Sequence, residues 1–101
     1  MEHDFMSVGW NNQVHKAIVT LAVEHALTTI GTPVFERVCD KLFHEHHCYI
    51  PDCYENPEYL HIVLKEIFGA SYLVVIESIQ DNLKEHLTQH SVKNFLEIIA
   101  K

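Results

Sequence analysis

The 101-residue chain is expected to fold as a single all-α domain, a compact bundle of about five helices. Three observations lead there. Apolar residues recur three and four positions apart along most of the chain, the spacing that lines one side of a helix. Where the pattern breaks, proline sits just inside a new segment or glycine just past an old one, the asymmetry of helix starts and stops. Gly and Pro number only three each, too little turn chemistry for an all-β fold.

Residues 1–10, MEHDFMSVGW, have no helical period and read as a flexible N-terminal arm, with 11–101 as the helical domain. The alternative is that Phe5, Val8 and Trp10 fold back onto the core. Asn11 or Asn12 caps a first helix whose stripe is Val14, Ala17, Ile18, Leu21, Ala22, Ala26, Leu27 and Ile30. Gly31 stops it. Thr32 and Pro33 start a second helix with Val34, Phe35, Val38, Cys39, Leu42 and Phe43 on its apolar side. From His44 to Glu55 the period fails around Pro51, and a loop of about ten residues is expected.

The densest stretch runs from Asp52 to Ile79. Asn56 is placed to cap a third helix, Pro57 to occupy its first position, and Glu58 to face the positive end of its dipole. Tyr59, Leu60, Val63, Leu64, Ile67 and Phe68 follow at helical spacing, and Gly69 ends the helix. Ser71 is a cap for a fourth helix reaching about Leu87, with an inward seam of Tyr72, Ile76, Ile79 and Leu83. Leu73, Val74 and Val75 make its start apolar on nearly every side, which predicts a buried helix. Ser91 caps a last helix with Val92, Phe95, Leu96, Ile98 and Ile99 apolar.

Charge narrows the function. The formal net charge is −7, and the seven Lys and Arg are scattered along the chain. Nucleic-acid binding generally needs a clustered basic surface, so no nucleic-acid partner is expected. The same sign disfavours anionic membrane surfaces. No apolar run is long enough to span a bilayer, and the first residues do not read as a signal peptide. Three cysteines, an odd number, make no disulfide framework, and a reducing cytoplasm is the simplest compartment.

Nine histidines are the compositional oddity. His44, His46, His47, Cys48 and Cys53 are the one cluster with metal-ligand chemistry, with His44, His47, Cys48 and Cys53 the candidate ligands, since zinc takes four such donors in a tetrahedron. On a continuing helix His44 and Cys48 would share a face. The spacing matches no established zinc pattern, so zinc is expected only as an adventitious or regulatory ion and no cofactor is assigned. His86 and His90 form a second i, i+4 pair, read as a solvated helix end, and His25 reads as a boundary residue of the first helix. Glycine occurs only at 9, 31 and 69, so there is no phosphate-cradling loop. Cys48 and Cys53 have histidines nearby, but nothing in the sequence orients them as a catalytic pair. No catalytic residue is assigned, and the chain is read as a non-enzyme.

The segment Cys48 to Ile79, with the phrase DCYENPEYLHIVLKEIFGASYLVVIESI, resembles the Nitrosopumilus output domain family, fifth type. AVEHALTTIGTPVFERVCDKL is similar to that family's first two helices and their glycine corner, so the resemblance spans roughly residues 14 to 87. Its most specific pieces are D-C-Y-x-x-P-E-Y-L at Asp52–Leu60 and L-K-E-I-F-G at Leu64–Gly69. The resemblance implies a small archaeal helical domain serving in output or signalling, and it supplies no catalytic residues. The matching Asp52, Cys53, Tyr54, Pro57, Glu58, Tyr59 and Gly69 also have structural readings: a turn cap, core fillers and helix bounds.

Two functions follow as expectations. The first is a protein-interaction module, a homodimer whose interface uses Tyr72, Val75, Ile76, Ile79, Leu83, Phe95 and Ile99 of helices four and five. The second is a ligand- or metal-sensing domain, built on the His/Cys loop 44–53 or on a pocket lined by Tyr49, Tyr54, Tyr59 and Tyr72.

Overall fold

In a computed structural model, residues 2–87 and 89–101 are described, with side chains from Gln13 onward. Among the described residues there are five α-helices and no strand. They are α1 (Glu2–Ile30), α2 (Thr32–His46), α3 (Pro57–Phe68), α4 (Tyr72–Leu83) and α5 (His90–Ile99), linked partly by short 3-10 turns at Ile50–Tyr54, Gly69–Ser71 and Lys84–His86. The all-α bundle is therefore as the sequence period requires.

α1 is the spine. It packs on α2, on α4, on the Ile50–Tyr54 turn and on α5, while α3 contacts α2, α4 and α5. One core joins all five helices: Val19, Val23, Ala26 and Leu27 of α1, Val38 and Leu42 of α2, Leu60, Val63 and Leu64 of α3, Ile76, Ile79 and Leu83 of α4, and Val92, Phe95, Leu96 and Ile99 of α5. No polar or charged residue is buried with them among the described residues. Burying each such side chain contributes roughly 1.5–3 kcal/mol.

The helix boundaries differ from the sequence reading in instructive ways. α1 begins at Glu2, so the backbone of 2–10 continues the first helix instead of forming a separate arm. Neither Asn11 nor Asn12 interrupts it, because an N-cap residue marks a start only when the chain before it leaves the helical region. The side chains of Phe5, Val8 and Trp10 lie outside the described residues. α2 extends through His46 and ends at His47, which takes the left-handed conformation at φ 54°. What reads as an open loop is a 3-10 turn. Asn56 precedes α3, but its side chain does not cap it; the Nδ2 amide donates to the Asp52 carbonyl instead. Gly69, at φ 56°, closes α3, the left-handed residue that glycine allows at least cost. Ser71 makes no side-chain cap, and α4 stops at Leu83, four residues short of Leu87. α5 starts one residue before Ser91.

Candidate functional site

The proposed association residues are inside the molecule. Ile79, Leu83 and Ile99 have no solvent exposure, and Val75, Ile76, Phe95 and Tyr72 expose 2 to 8 %. They form the seam on which α4 closes over α1, α3 and α5, so they cannot also face a second chain. The period located the buried side correctly; it carries no information on whether intramolecular neighbours suffice to cover it.

The outward side of α4 is the unexpected part. Leu73 is 53 % exposed and Val74 is 66 % exposed, so the helix start is not buried on every side. Leu21 on α1 is 65 % exposed and lines a groove of about 380 Å³ with Ile18, Ala22, His25 and Asn82. This groove joins α1 to α4. Leu21 belongs to the stripe first read as core, whose width exceeds the arc that the neighbours cover.

The His/Cys region separates into an outer and an inner part. His44, His47 and Tyr49 are exposed, and the Phe43 ring lies 5.7 Å from His44 and 5.6 Å from Tyr49. Cys48 and Cys53 point inward and are buried. Among the described residues, no group of three or more His, Cys, Asp or Glu side chains gathers as a metal site. The set His44, His47, Cys48 and Cys53 is thus not assembled. α2 ends at His46, so the i, i+4 face shared by His44 and Cys48 does not exist. His86 and His90 are likewise split between a turn and the start of α5.

Two backbone bonds set the Cys48 position: His47 N–H donates to Phe43 O at 3.0 Å and Cys48 N–H to Leu42 O at 3.4 Å. Asp52 then closes the turn. Its carboxylate accepts from Tyr49 N–H at 2.9 Å, and its own N–H donates to Tyr49 O at 3.0 Å. This is the turn-capping role read for Asp52. The turn brings Cys53 back inward, where its thiol donates to Tyr49 O at 3.7 Å. Burial, the largest cause, pushes the thiols of Cys39, Cys48 and Cys53 above the ordinary range, Cys53 most strongly. Cys39 is only half-buried and packs against the core.

The four tyrosines do not share a pocket. Tyr49 is exposed, and Tyr59 lies at the surface, stacked on His46 with ring centroids 4.5 Å apart. Tyr72 is buried; its hydroxyl donates to Lys101 O at 2.9 Å, and the Lys65 ammonium lies over its ring. Tyr54 lines a cavity of about 280 Å³ with Pro57, Glu58, Ser91, Phe95 and others.

Ser91, which lines that cavity, also makes a contact that no local pattern announces. His15 Nδ1 and Ser91 Oγ lie 2.9 Å apart across 76 positions of sequence. A serine nucleophile needs such a base, itself oriented by a third group. Here the hydrogen bond ties the first turn of α5 to α1. At the other end of α5, His61 Nδ1 donates to Ile99 O at 3.0 Å.

No family model, curated protein or solved structure matches this chain. No helix is long and apolar enough to cross a membrane, among the described residues.

Proposed function

We propose that this protein is a non-catalytic protein-interaction module that self-associates, using the outward start of α4 and the groove that α4 shares with α1. The observation that carries the reading is the exposure of Leu73, Val74 and Leu21, each more than half open to solvent. Exposed large apolar side chains are common partner-binding elements when a partner covers them. A second copy of the chain is the simplest partner, because two-fold dimers are the commonest assembly of small domains. The resemblance to archaeal output domains supports the same reading, and a cytoplasmic signalling role accords with it.

Sedimentation equilibrium tests this. A mass near twice 11.7 kDa is expected for the native chain. Replacing Leu73 and Val74 with aspartate should return the chain to a monomer with an unchanged helical spectrum. A native protein that stays monomeric at high concentration would remove self-association.

A further inference from the structure

We propose that α5 is an exchangeable element: at high concentration it leaves its own chain and seats in the identical groove of a second copy, giving a dimer by reciprocal helix exchange. The inference does not depend on the outer side of α4, whose part in association is a separate reading.

The groove and its occupant are both in view, because α5 itself fills the groove. Val92, Phe95, Leu96 and Ile99 are buried against the rest of the molecule. The helix packs on α4 and α1 and most extensively on α3, which is not its neighbour in the chain. Side-chain hydrogen bonds fix its two ends. His15 Nδ1 of α1 lies 2.9 Å from Ser91 Oγ, and His61 Nδ1 of α3 donates to the Ile99 carbonyl at 3.0 Å. Both bonds join α5 to elements other than the segment that precedes it. An identical helix from a second chain makes the same contacts, which is why such exchange is a low-cost route to a dimer.

The segment that ties α5 to α4 adds little to the closed form. Lys84, Glu85 and Leu87 are exposed, and Lys84–His86 is one short 3-10 turn. Gln89 N–H donates to His86 O at 3.1 Å, while the Gln89 side-chain Oε1 is buried and meets no hydrogen-bond partner among the described residues. Extending this segment gives up a tight turn and lets water reach that acceptor. Fully extended, Lys84–Gln89 spans roughly 20 Å, twice an interhelical distance of about 10 Å, so the tether reaches a neighbouring molecule.

Concentration decides between the closed and the exchanged forms. Both hold the same core and the same hydrogen bonds, so they differ only in the tether and in the entropy of association. A short flexible tether keeps its two ends at an effective concentration on the order of 1 mM. The closed monomer therefore prevails in dilute solution, and exchange competes as the chain itself approaches roughly 1 mM. Opening α5 uncovers Val92, Phe95, Leu96 and Ile99 together, so the forms interconvert slowly and an exchanged dimer outlives dilution.

The test uses the full chain in two forms: the native one, and Leu73→Asp with Val74→Asp, which removes the other route to association. Each is held near roughly 1 mM at its urea midpoint, returned to native buffer, and passed through a size-exclusion column with light scattering. Both should give a monomer and a second peak of twice 11.7 kDa that stays dimeric for hours after dilution. The native dimer is also prepared from a mixture of isotope-labelled and unlabelled chains. It should show nuclear Overhauser effects between core side chains of α5 in one chain and of α3 in the other. A dimer whose α5–α3 effects all stay within one chain overturns the proposal, and so does one that dissociates as soon as it is diluted. A native chain that dimerises without urea, beside a folded substituted chain that stays monomeric after it, overturns exchange alone and leaves the reading of the outer side of α4 standing. The labelled mixture is read on the native chain, so it decides the matter whether or not the substituted chain folds.

Discussion

The two sides of α4 are one helix with opposite fates. Tyr72, Val75, Ile76, Ile79 and Leu83 lie against three other helices and are buried, whereas Leu73 and Val74, between them in sequence, stand in water. All are apolar. Hydrophobicity alone therefore does not decide which residues fill the core; angular position around the helix does, with neighbours covering about half the circumference. The inner side holds the fold, and the outer side is left in solvent.

The comparison is broken most severely from inside. Ile79→Ala removes a fully buried side chain at the meeting of helices and is expected to lower stability by about 2–5 kcal/mol. Phe95→Ala should do similar or greater damage. Urea denaturation measures both, and a loss below half a kcal/mol at either site would contradict the described core.

A second effect is expected on raising pH. Cys48 and Cys53 hold their protons more tightly in the folded chain than in the unfolded one. Their contribution is complete below the unfolded thiol pKa of about 8.5, and it is lost as pH rises beyond that toward their raised folded values. Unfolding free energy should fall through the alkaline range, and Cys53→Ala should flatten that slope. A slope unchanged by the variant would mean that other groups cause it.

Ser91→Ala deletes the hydroxyl that meets His15, at an expected cost of about 0.5–1.5 kcal/mol by thermal or chemical melting. Leu73→Asp with Val74→Asp should change monomer stability by no more than about 0.5 kcal/mol, as exposed substitutions commonly do. The same pair should have its large effect on sedimentation, and a large effect on stability instead would place these residues on the inner side.

These contrasts mark how far local pattern reaches. The helices, the proline starts at Pro33 and Pro57 and the glycine stop at Gly69 were legible because each depends on neighbours within four residues. The inner residues of α4 were legible as buried and misread as shared between chains, because covering them depends on α1, α3 and α5 arriving from elsewhere. Asn11, Asn12, Asn56 and Ser71 have the right chemistry for caps, yet none acts as one; the backbone before a residue decides whether its side chain is needed. The zinc set failed because α2 ends two residues before Cys48. The His15–Ser91 contact was hidden for a related reason: it joins residues 76 positions apart, beyond the reach of any local pattern.

The last helix has a further consequence. Its first turn is held through Ser91 by α1, its Ile99 carbonyl accepts from His61 of α3, and the Lys101 carbonyl just beyond it accepts from Tyr72 of α4. None of these partners lies within α5, so a ten-residue helix of this kind has little reason to persist alone. It should behave as a single cooperative unit that opens or closes in one event. In native-state hydrogen exchange its inner amides, from Val92 through Ile99, would then share one opening free energy instead of fraying gradually from an end.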